Sequence, residues 1–176
     1  MTEFIDSNSL LALNNVSSSV VRKRISAELK TLINTYTHIN ISYNNELDLI
    51  VLHIHDNSIT SQYSEFSFII PNTYPFQPPK VKLNEDDYIN LLKINSYNKS
   101  TIIQKLTSKT CLCCNTIICK DNWSPALTFI DIITEIKHHL KIIDKIILQL
   151  SFDKFKLLLR DDYKNMETMR NMNKII

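Results

Sequence analysis

Four of the five prolines in the chain fall within nine residues, and this segment restricts the fold more than any other. The sequence there is PNTYPFQPPKV, residues 71–81. Each proline fixes its own φ and lacks an N–H, so the segment fits neither a helix interior nor a central strand. We therefore expect a rigid, extended connector, followed by a short strand at residues 80–83. The rings of Tyr74 and Phe76 can fix the connector to the body of the protein or offer a contact surface.

Apolar spacing predicts one helix and then several strands before the connector. Hydroxyl groups at residues 17–19 can cap the helix, and its buried face is Val21, Ile25, Leu29 and Leu32. Alternation then predicts strands near residues 39–43, 47–51 and 63–70, with a turn at Asn44 and Asn45. The expected buried face of the second strand is Leu47, Leu49 and Val51, and that of the third is Phe66, Phe68 and Ile70.

Helical spacing returns after the connector. Residues 88–94 and 102–106 can each form a short helical turn, and Thr128 with Asp131 predicts a reciprocal helix cap. The helix behind that cap has these apolar residues at spacings of three and four: Ile133, Ile136, Leu140, Ile143, Ile147 and Leu150. A last helix is predicted from about Ser151, with the buried face Phe155, Leu158 and Leu159.

This order of elements predicts an α+β fold. It comprises an N-terminal helix, a four-stranded antiparallel meander and then C-terminal helices. The length of 176 residues suits one domain. We expect an N-terminal tail at residues 1–16, a core at 17–164 and a C-terminal tail at 165–176.

Composition excludes several classes of function. A net charge of +2 argues against binding to bulk nucleic acid. No apolar run is long enough to span a membrane, and the acidic N-terminus does not match a signal peptide. We therefore expect a cytoplasmic or nuclear protein in a reducing compartment, where clustered cysteines are free, catalytic or metal-bound. The chain has no glycine, so turns that need positive φ are expected to use Asn or Asp.

All four cysteines lie within nine residues, just before the only tryptophan, Trp123. A thiolate is both a nucleophile and a metal ligand, so two functions are open. The two-residue gap between Cys111 and Cys114 is typical of zinc sites, and the full candidate ligand set is Cys111, Cys113, Cys114 and Cys119. A third interpretation is structural, because a free cysteine also serves as a small buried apolar residue.

Three segments, in order, resemble those of ubiquitin-conjugating enzymes. The first is the helix VVRKRISAELKTL at residues 20–32, whose Lys-Arg-Ile and Glu-Leu match the family's opening helix. The second is the third strand with the proline connector, which resembles the family's Pro-Tyr-Pro-Phe-x-Pro-Pro-Lys-Val signature. The third is WSPALT at residues 123–128, similar to the family's entry into its central helix. The resemblance covers about residues 17–150 and implies a ubiquitin-conjugating-enzyme-like fold.

The resemblance also implies an activity and its partners. The protein would accept ubiquitin or a ubiquitin-like modifier as a cysteine thioester and pass it to a lysine or a ligase, without a cofactor. Cys111 is the favoured nucleophile because Leu112 follows it, as in the family, and Cys114 and Cys113 are the alternates. The residues implied to contact the activating enzyme are Lys23 and Arg24, and those implied to contact a ubiquitin ligase are Phe76, Pro125 and Ala126.

Two departures from the family pattern leave a second function open. The family's His-Pro-Asn, whose Asn stabilises the oxyanion, is absent, and Asn90 is the nearest substitute by position. Three further asparagines are candidates for the same role, namely Asn95, Asn98 and Asn115. The distance in sequence from there to Cys111 implies an insertion near residues 91–110. The alternative is a catalytically inactive binding module of the same fold, with structural or zinc-bound cysteines.

Overall fold

The structure is a computed structural model, and it describes residues 18–36, 38–44, 49–55, 65–93 and 97–172. The helices are α1 (Ser19–Ile33), α2 (Tyr88–Leu92), α3 (Tyr97–Thr107) and α4 (Phe129–Met172). The strands are β1 (His38–Asn44), β2 (Leu49–His55), β3 (Glu65–Ile70), β4 (Lys80–Leu83) and β5 (Asp86–Asp87). The protein is therefore α+β, as predicted. The expected tail at residues 1–16, and the turn residue Asn45, lie outside the described residues.

The chain divides into two compact units. The first contains the described residues of Met1–Ile94 and Cys111–His139, which include α1, the sheet and α2. The second contains those of Asn95–Thr110 and Leu140–Ile176, which include α3. Helix α4 contributes residues to both units. The implied insertion near residues 91–110 overlaps the first part of the second unit, and a single core from 17 to 164 stays a prediction.

The sheet has five strands in sequence order, and each strand is antiparallel to the next. The prediction of four strands was wrong by one, because β5 was not foreseen. This strand is only two residues long and pairs Asp86 and Asp87 with Leu83 and Lys82. Two exposed acidic residues give no apolar alternation, so the sequence contains no signal for it.

The buried face of β2 is the opposite of the predicted one. Ile50, Leu52 and Ile54 are buried, whereas Val51 is only half-buried. Pairing with β3 explains this choice, because Leu52 lies opposite Phe68 and Ile54 opposite Phe66. The predicted buried residue Leu47 lies outside the described residues.

Helix α1 agrees with its prediction. The hydroxyl of Ser18 accepts a hydrogen bond from the backbone N–H of Val21 at 3.4 Å, which caps the helix. The four predicted apolar residues of α1 and the three of β3 are buried: Val21, Ile25, Leu29, Leu32, Phe66, Phe68 and Ile70.

Helix α4 begins as predicted but does not end as predicted. Thr128 N–H donates to Asp131 Oδ2 at 2.8 Å, and Asp131 N–H donates to Thr128 Oγ1 at 3.3 Å, which is the reciprocal cap. The predicted break at Ser151 was wrong, because the Ser151 hydroxyl bonds to the Ile147 carbonyl at 2.9 Å within one continuous helix. Three residues predicted to be buried are exposed: Phe155, Leu158 and Leu159.

Three of the residues that the structure describes have positive φ. They are Asn84 (45°), Glu85 (76°) and Ser108 (58°). Asn was the expected substitute for glycine, but Glu and Ser were not. The peptide bond between Tyr74 and Pro75 is cis. No helix in the described part of the chain is long and apolar enough to cross a membrane.

Candidate functional site

Three of the four thiols form one group in the loop before α4. Cys111 Sγ lies 2.7 Å from Cys113 Sγ, and Cys113 Sγ lies 3.8 Å from Cys114 Sγ. All three sulfur atoms lie within 4.8 Å of one another, so they can bind one metal ion together. Among the described residues, Cys119 does not belong to this group, and neither does any His, Asp or Glu.

The three thiols differ in acidity. Burial raises the pKa of Cys111, but hydrogen bonds from the Cys113 thiol and the Cys114 backbone outweigh it, so the pKa lies below 9.0. The same bond to Cys111, together with burial, raises the pKa of Cys113 to about 12. A hydrogen bond to Cys111 also raises the pKa of the exposed Cys114. Cys111 is therefore the thiol of this group that ionises most readily.

Side-chain amides hold the loop that carries these thiols. Asn115 Nδ2 donates to the Cys111 carbonyl oxygen at 2.7 Å. Asn122 Nδ2 donates to the carbonyl oxygens of Cys114 at 3.0 Å and Thr116 at 3.1 Å. The part played by Asn122 could not be predicted, since nothing in the sequence distinguishes a loop asparagine whose amide bridges two carbonyl groups from one that is free.

Glu135, on the first part of α4, anchors the same loop. Its carboxylate accepts a hydrogen bond from Thr116 Oγ1 at 2.6 Å and another from the backbone N–H of Ile117 at 3.0 Å. On either side of this contact Leu112 and Ile118 are buried, so the loop is fixed by apolar packing as well. Sequence reasoning missed Glu135, because its partners are 18 and 19 residues away along the chain.

Trp123 connects the thiol loop to the proline connector. Its Nε1–H donates to the Pro75 carbonyl oxygen at 2.7 Å, and its ring lies 6.2 Å from that of Tyr74. This hydrogen bond therefore joins two loops that are predicted to bind partners. One loop carries Phe76, and the other carries Pro125 and Ala126. All three of these residues are exposed, Phe76 by 70%.

Glu28 joins α1 to both of these segments. One carboxylate oxygen accepts hydrogen bonds from the Tyr74 hydroxyl and from Arg24 Nε at 2.6 Å, and the other accepts from Phe129 N–H at 2.7 Å. Arg24 Nη2 also donates to the Leu127 carbonyl oxygen at 2.9 Å. Arg24, one of the two residues implied to contact an activating enzyme, is therefore engaged within the protein. The other, Lys23, is exposed.

Asn90, the candidate oxyanion donor, lies on α2 and is exposed. Its Oδ1 accepts a hydrogen bond from Lys93 Nζ at 2.8 Å. In the part of the chain that the structure describes, its side chain makes no hydrogen bond to the cysteine loop. On the same helix the buried hydroxyl of Tyr88 bonds to Nδ1 of the buried His139.

A serine, a histidine and a carboxylate meet elsewhere, on the sheet. Ser67 Oγ lies 2.9 Å from His53 Nδ1, and Glu65 Oε1 lies 3.1 Å from the same nitrogen. A catalytic triad needs the serine and the carboxylate on different ring nitrogens. This arrangement therefore cannot relay a proton from serine to carboxylate.

Comparison of the chain with family models, with curated proteins and with solved structures gives no match.

Proposed function

We propose that the protein is a ubiquitin-conjugating-enzyme-like protein that carries ubiquitin or a related modifier as a thioester on Cys111. One observation supports this most strongly. The three segments that resemble the family are far apart in sequence but are joined by hydrogen bonds. The Tyr74 hydroxyl donates to Glu28, Arg24 donates to the Leu127 carbonyl, and Trp123 donates to the Pro75 carbonyl. A chance resemblance of three separate segments would not require them to lie together in space.

The proposed reaction exchanges one thioester for another. The Cys111 thiolate attacks the carbonyl carbon of the modifier's thioester on the activating enzyme. A new S–C bond forms, and the activating enzyme's cysteine leaves as a thiolate. A substrate lysine amine or a ligase thiolate then attacks the new thioester, and Cys111 leaves as a thiolate. The attacking amine releases its proton to solvent. This chemistry needs reduced thiols, which fits a cytoplasmic or nuclear protein.

The exposed residues near the joined loops suit the proposed partners. A ligase would find an apolar surface formed by Phe76, Pro125 and Ala126. The hydrogen bond from Trp123 to the Pro75 carbonyl holds the two loops of this surface together. The exposed Lys23 offers a positive charge to an activating enzyme. Arg24 contributes to that surface indirectly, by holding the Leu127 carbonyl and Glu28.

A charging assay tests the proposal. The protein is mixed with activating enzyme, ATP and either ubiquitin or another modifier, and the adduct is resolved without reducing agent. We expect an adduct that a thiol reductant removes and that Cys111→Ser abolishes or converts into a reductant-resistant ester. Cys119→Ser is the matched control, since its sulfur lies outside the group. Loss of the adduct only in Cys114→Ser would identify Cys114 as the nucleophile instead. If no activating enzyme produced an adduct, the proposal would be refuted.

The cysteine group itself supports a second function, a catalytically inactive metal-binding module. Zinc takes tetrahedral thiolate ligands at about 2.3 Å, which separates the sulfur atoms by roughly 3.8 Å. The distance from Cys113 Sγ to Cys114 Sγ is 3.8 Å, and that from Cys111 to Cys113, now 2.7 Å, would widen on binding. Asn115 Nδ2 already donates to the Cys111 carbonyl oxygen, and within the described residues Asn90 makes no hydrogen bond to the loop. This also favours a module, because the reaction needs an amide near the thioester oxygen.

Metal analysis separates the two functions. A module would contain about one zinc ion per chain after purification without chelator, and chelation would lower its melting temperature. Cys113→Ser would release the metal, whereas Cys119→Ser would retain it. A protein that forms the thioester and contains no metal would instead be the conjugating enzyme.

A further inference from the structure

Exposed apolar side chains are concentrated in the second unit. Ten large apolar residues are exposed in the described part of the chain, and eight of them belong to this unit: Leu106, Ile147, Leu148, Phe152, Phe155, Leu157, Leu158 and Leu159. Seven of these eight lie within 13 residues of α4. An apolar surface of this density on a water-exposed helix marks an interaction site.

Four of these residues form one narrow stripe along α4. Leu148, Phe152, Phe155 and Leu159 are spaced by four, three and four residues, so they lie on one face of the helix. Each of them is between 53% and 60% exposed. This is the spacing of the seam residues that pack between two helices in a coiled coil. We call these four residues the α4 stripe.

The α4 stripe is symmetric about its centre. Reversing the helix about the midpoint between residues 153 and 154 exchanges Leu148 with Leu159 and Phe152 with Phe155. Two copies that pack in antiparallel fashion about that midpoint therefore place leucine opposite leucine and phenylalanine opposite phenylalanine. This is the self-complementarity that a two-fold dimer interface requires.

Charge supports the same register. In this pairing Lys145 of one copy stands opposite position 162 of the other, and the sequence has aspartate there. The two-fold axis repeats this opposite-charge pair at the other end of the α4 stripe. A parallel pairing would instead place Lys145 opposite itself, with like charges together.

Part of the α4 stripe lines a groove. The groove is lined by Leu148 and Phe152 of α4 and by Ile102 and Leu106 of α3, all within the second unit. In the antiparallel register Leu159 and Phe155 of the other copy lie against this groove.

We propose that the α4 stripe binds a second copy of this chain in antiparallel orientation and makes the protein a homodimer. A membrane surface fits less well, because a helix that lies in the membrane interface keeps its apolar residues on one face. Leu157, which is 61% exposed, lies on the opposite side of α4 from the stripe.

Sedimentation of the full-length protein over a wide range of concentrations tests the proposal. We expect a monomer–dimer equilibrium whose Kd rises at least about tenfold in Phe152→Lys and in Phe155→Lys. Leu157→Lys is the matched control, with similar exposure on the opposite side, and leaves the Kd within about threefold of the original. Since these side chains are already exposed, helix content by circular dichroism should remain constant across the series.

A charge exchange tests the register. Lys145→Asp should weaken the dimer, because it places two aspartates opposite each other, and Lys145→Asp with Asp162→Lys should restore it. Failure of the second substitution to restore the dimer would refute the antiparallel register. A protein that is monomeric at every concentration would refute the proposal. So would a monomer whose α4 stripe instead binds vesicles of anionic phospholipid, with binding lost in Phe152→Lys.

Discussion

The carboxylate of Glu135 lies 2.6 Å from the hydroxyl of Thr116, and this contact ties the first part of α4 to the loop of the cysteines. Thr116 is completely buried, so its hydroxyl has to find a hydrogen-bond partner inside the protein. The backbone N–H of Ile117 donates to the same carboxylate. Glu135 therefore helps to position the loop that carries the thiols, although it makes no contact with the thiols in the bonds described.

Loss of the Glu135 carboxylate should loosen the thiol loop. We expect Glu135→Ala to lower the free energy of unfolding by about 2–3 kcal/mol, because hydrogen bonds to a charged group contribute about 1.5–3 kcal/mol. Urea unfolding measures this change, and hydrogen exchange at the Ile117 amide should accelerate. The exposed Thr134, one position earlier on α4, gives the control Thr134→Ala. If both substitutions lowered the free energy of unfolding equally, the hydrogen bonds of Glu135 would not stabilise the loop.

Glu28 should be among the most sensitive positions in the first unit. It is 6% exposed and joins α1, the connector and the start of α4. Breaking a buried ion pair leaves its partners unpaired, so Glu28→Ala should lower stability by about 3–5 kcal/mol.

The matched comparison is Glu28→Gln against Glu85→Gln, since Glu85 is 83% exposed and lies 3.5 Å from Lys82. We expect about 1.5–3 kcal/mol for the first. The second should stay within about 0.5 kcal/mol of zero. Denaturation followed by the fluorescence of Trp123 reports both, and similar losses would contradict the role assigned to Glu28.

The thiols of the metal-free protein should react in a fixed order. Because its pKa is lowered, Cys111 has a larger thiolate fraction near neutral pH than Cys113, whose pKa is about 12. Brief treatment with iodoacetamide, followed by peptide mass spectrometry, should show Cys111 modified first of these two. Cys113→Ala removes a hydrogen bond to Cys111 and should slow that reaction. Preferential modification of Cys113 in the unmodified sequence would contradict the inferred acidity.

Two buried tyrosines should make the protein less stable in alkali. Burial, and then the nearby Glu28 charge, raises the pKa of Tyr74 above 10.0. Burial, and then the charge of Glu135, does the same for Tyr88. Above about pH 10 the unfolded chain loses these protons while the folded protein keeps them, so stability falls as pH rises.

Each tyrosine should contribute up to about 1.4 kcal/mol per pH unit to this loss. Urea unfolding between pH 8 and pH 11, in Tyr88→Phe and in the original protein, measures the difference in slope. The slope above pH 10 should be shallower in Tyr88→Phe, and an unchanged slope would contradict the raised pKa.

Much of the fold follows from local sequence patterns. The cap formed by Thr128 and Asp131 and the buried face of α1 were both predicted, because each depends on residues within one or two helical turns. The face of β2 was not, since apolar residues occupy both sides of that strand and alternation alone cannot choose between them. The register against Phe66 and Phe68 makes the choice, and register is not a local property.

The site was predictable only in part. The sequence indicated which residues carry thiols, and the structure brings three of them together. The contacts that orient the loop, from Glu135 and Asn122, span from 6 to 19 residues, so no spacing rule reveals them. The exposure of Phe155 and Leu158 was missed because helical spacing shows that residues share a face, not that anything in the same chain covers it.

Because the chain has no glycine, other residues occupy backbone conformations that glycine would adopt at lower cost. Glu85 and Ser108 hold left-handed backbone conformations that cost a residue with a Cβ about 1–2 kcal/mol. Glycine adopts them freely, although it also loses more entropy on folding. Glu85→Gly and Ser108→Gly should therefore raise the melting temperature. A protein with both substitutions would be a more stable starting point for measuring the destabilising variants of Glu28 and Glu135.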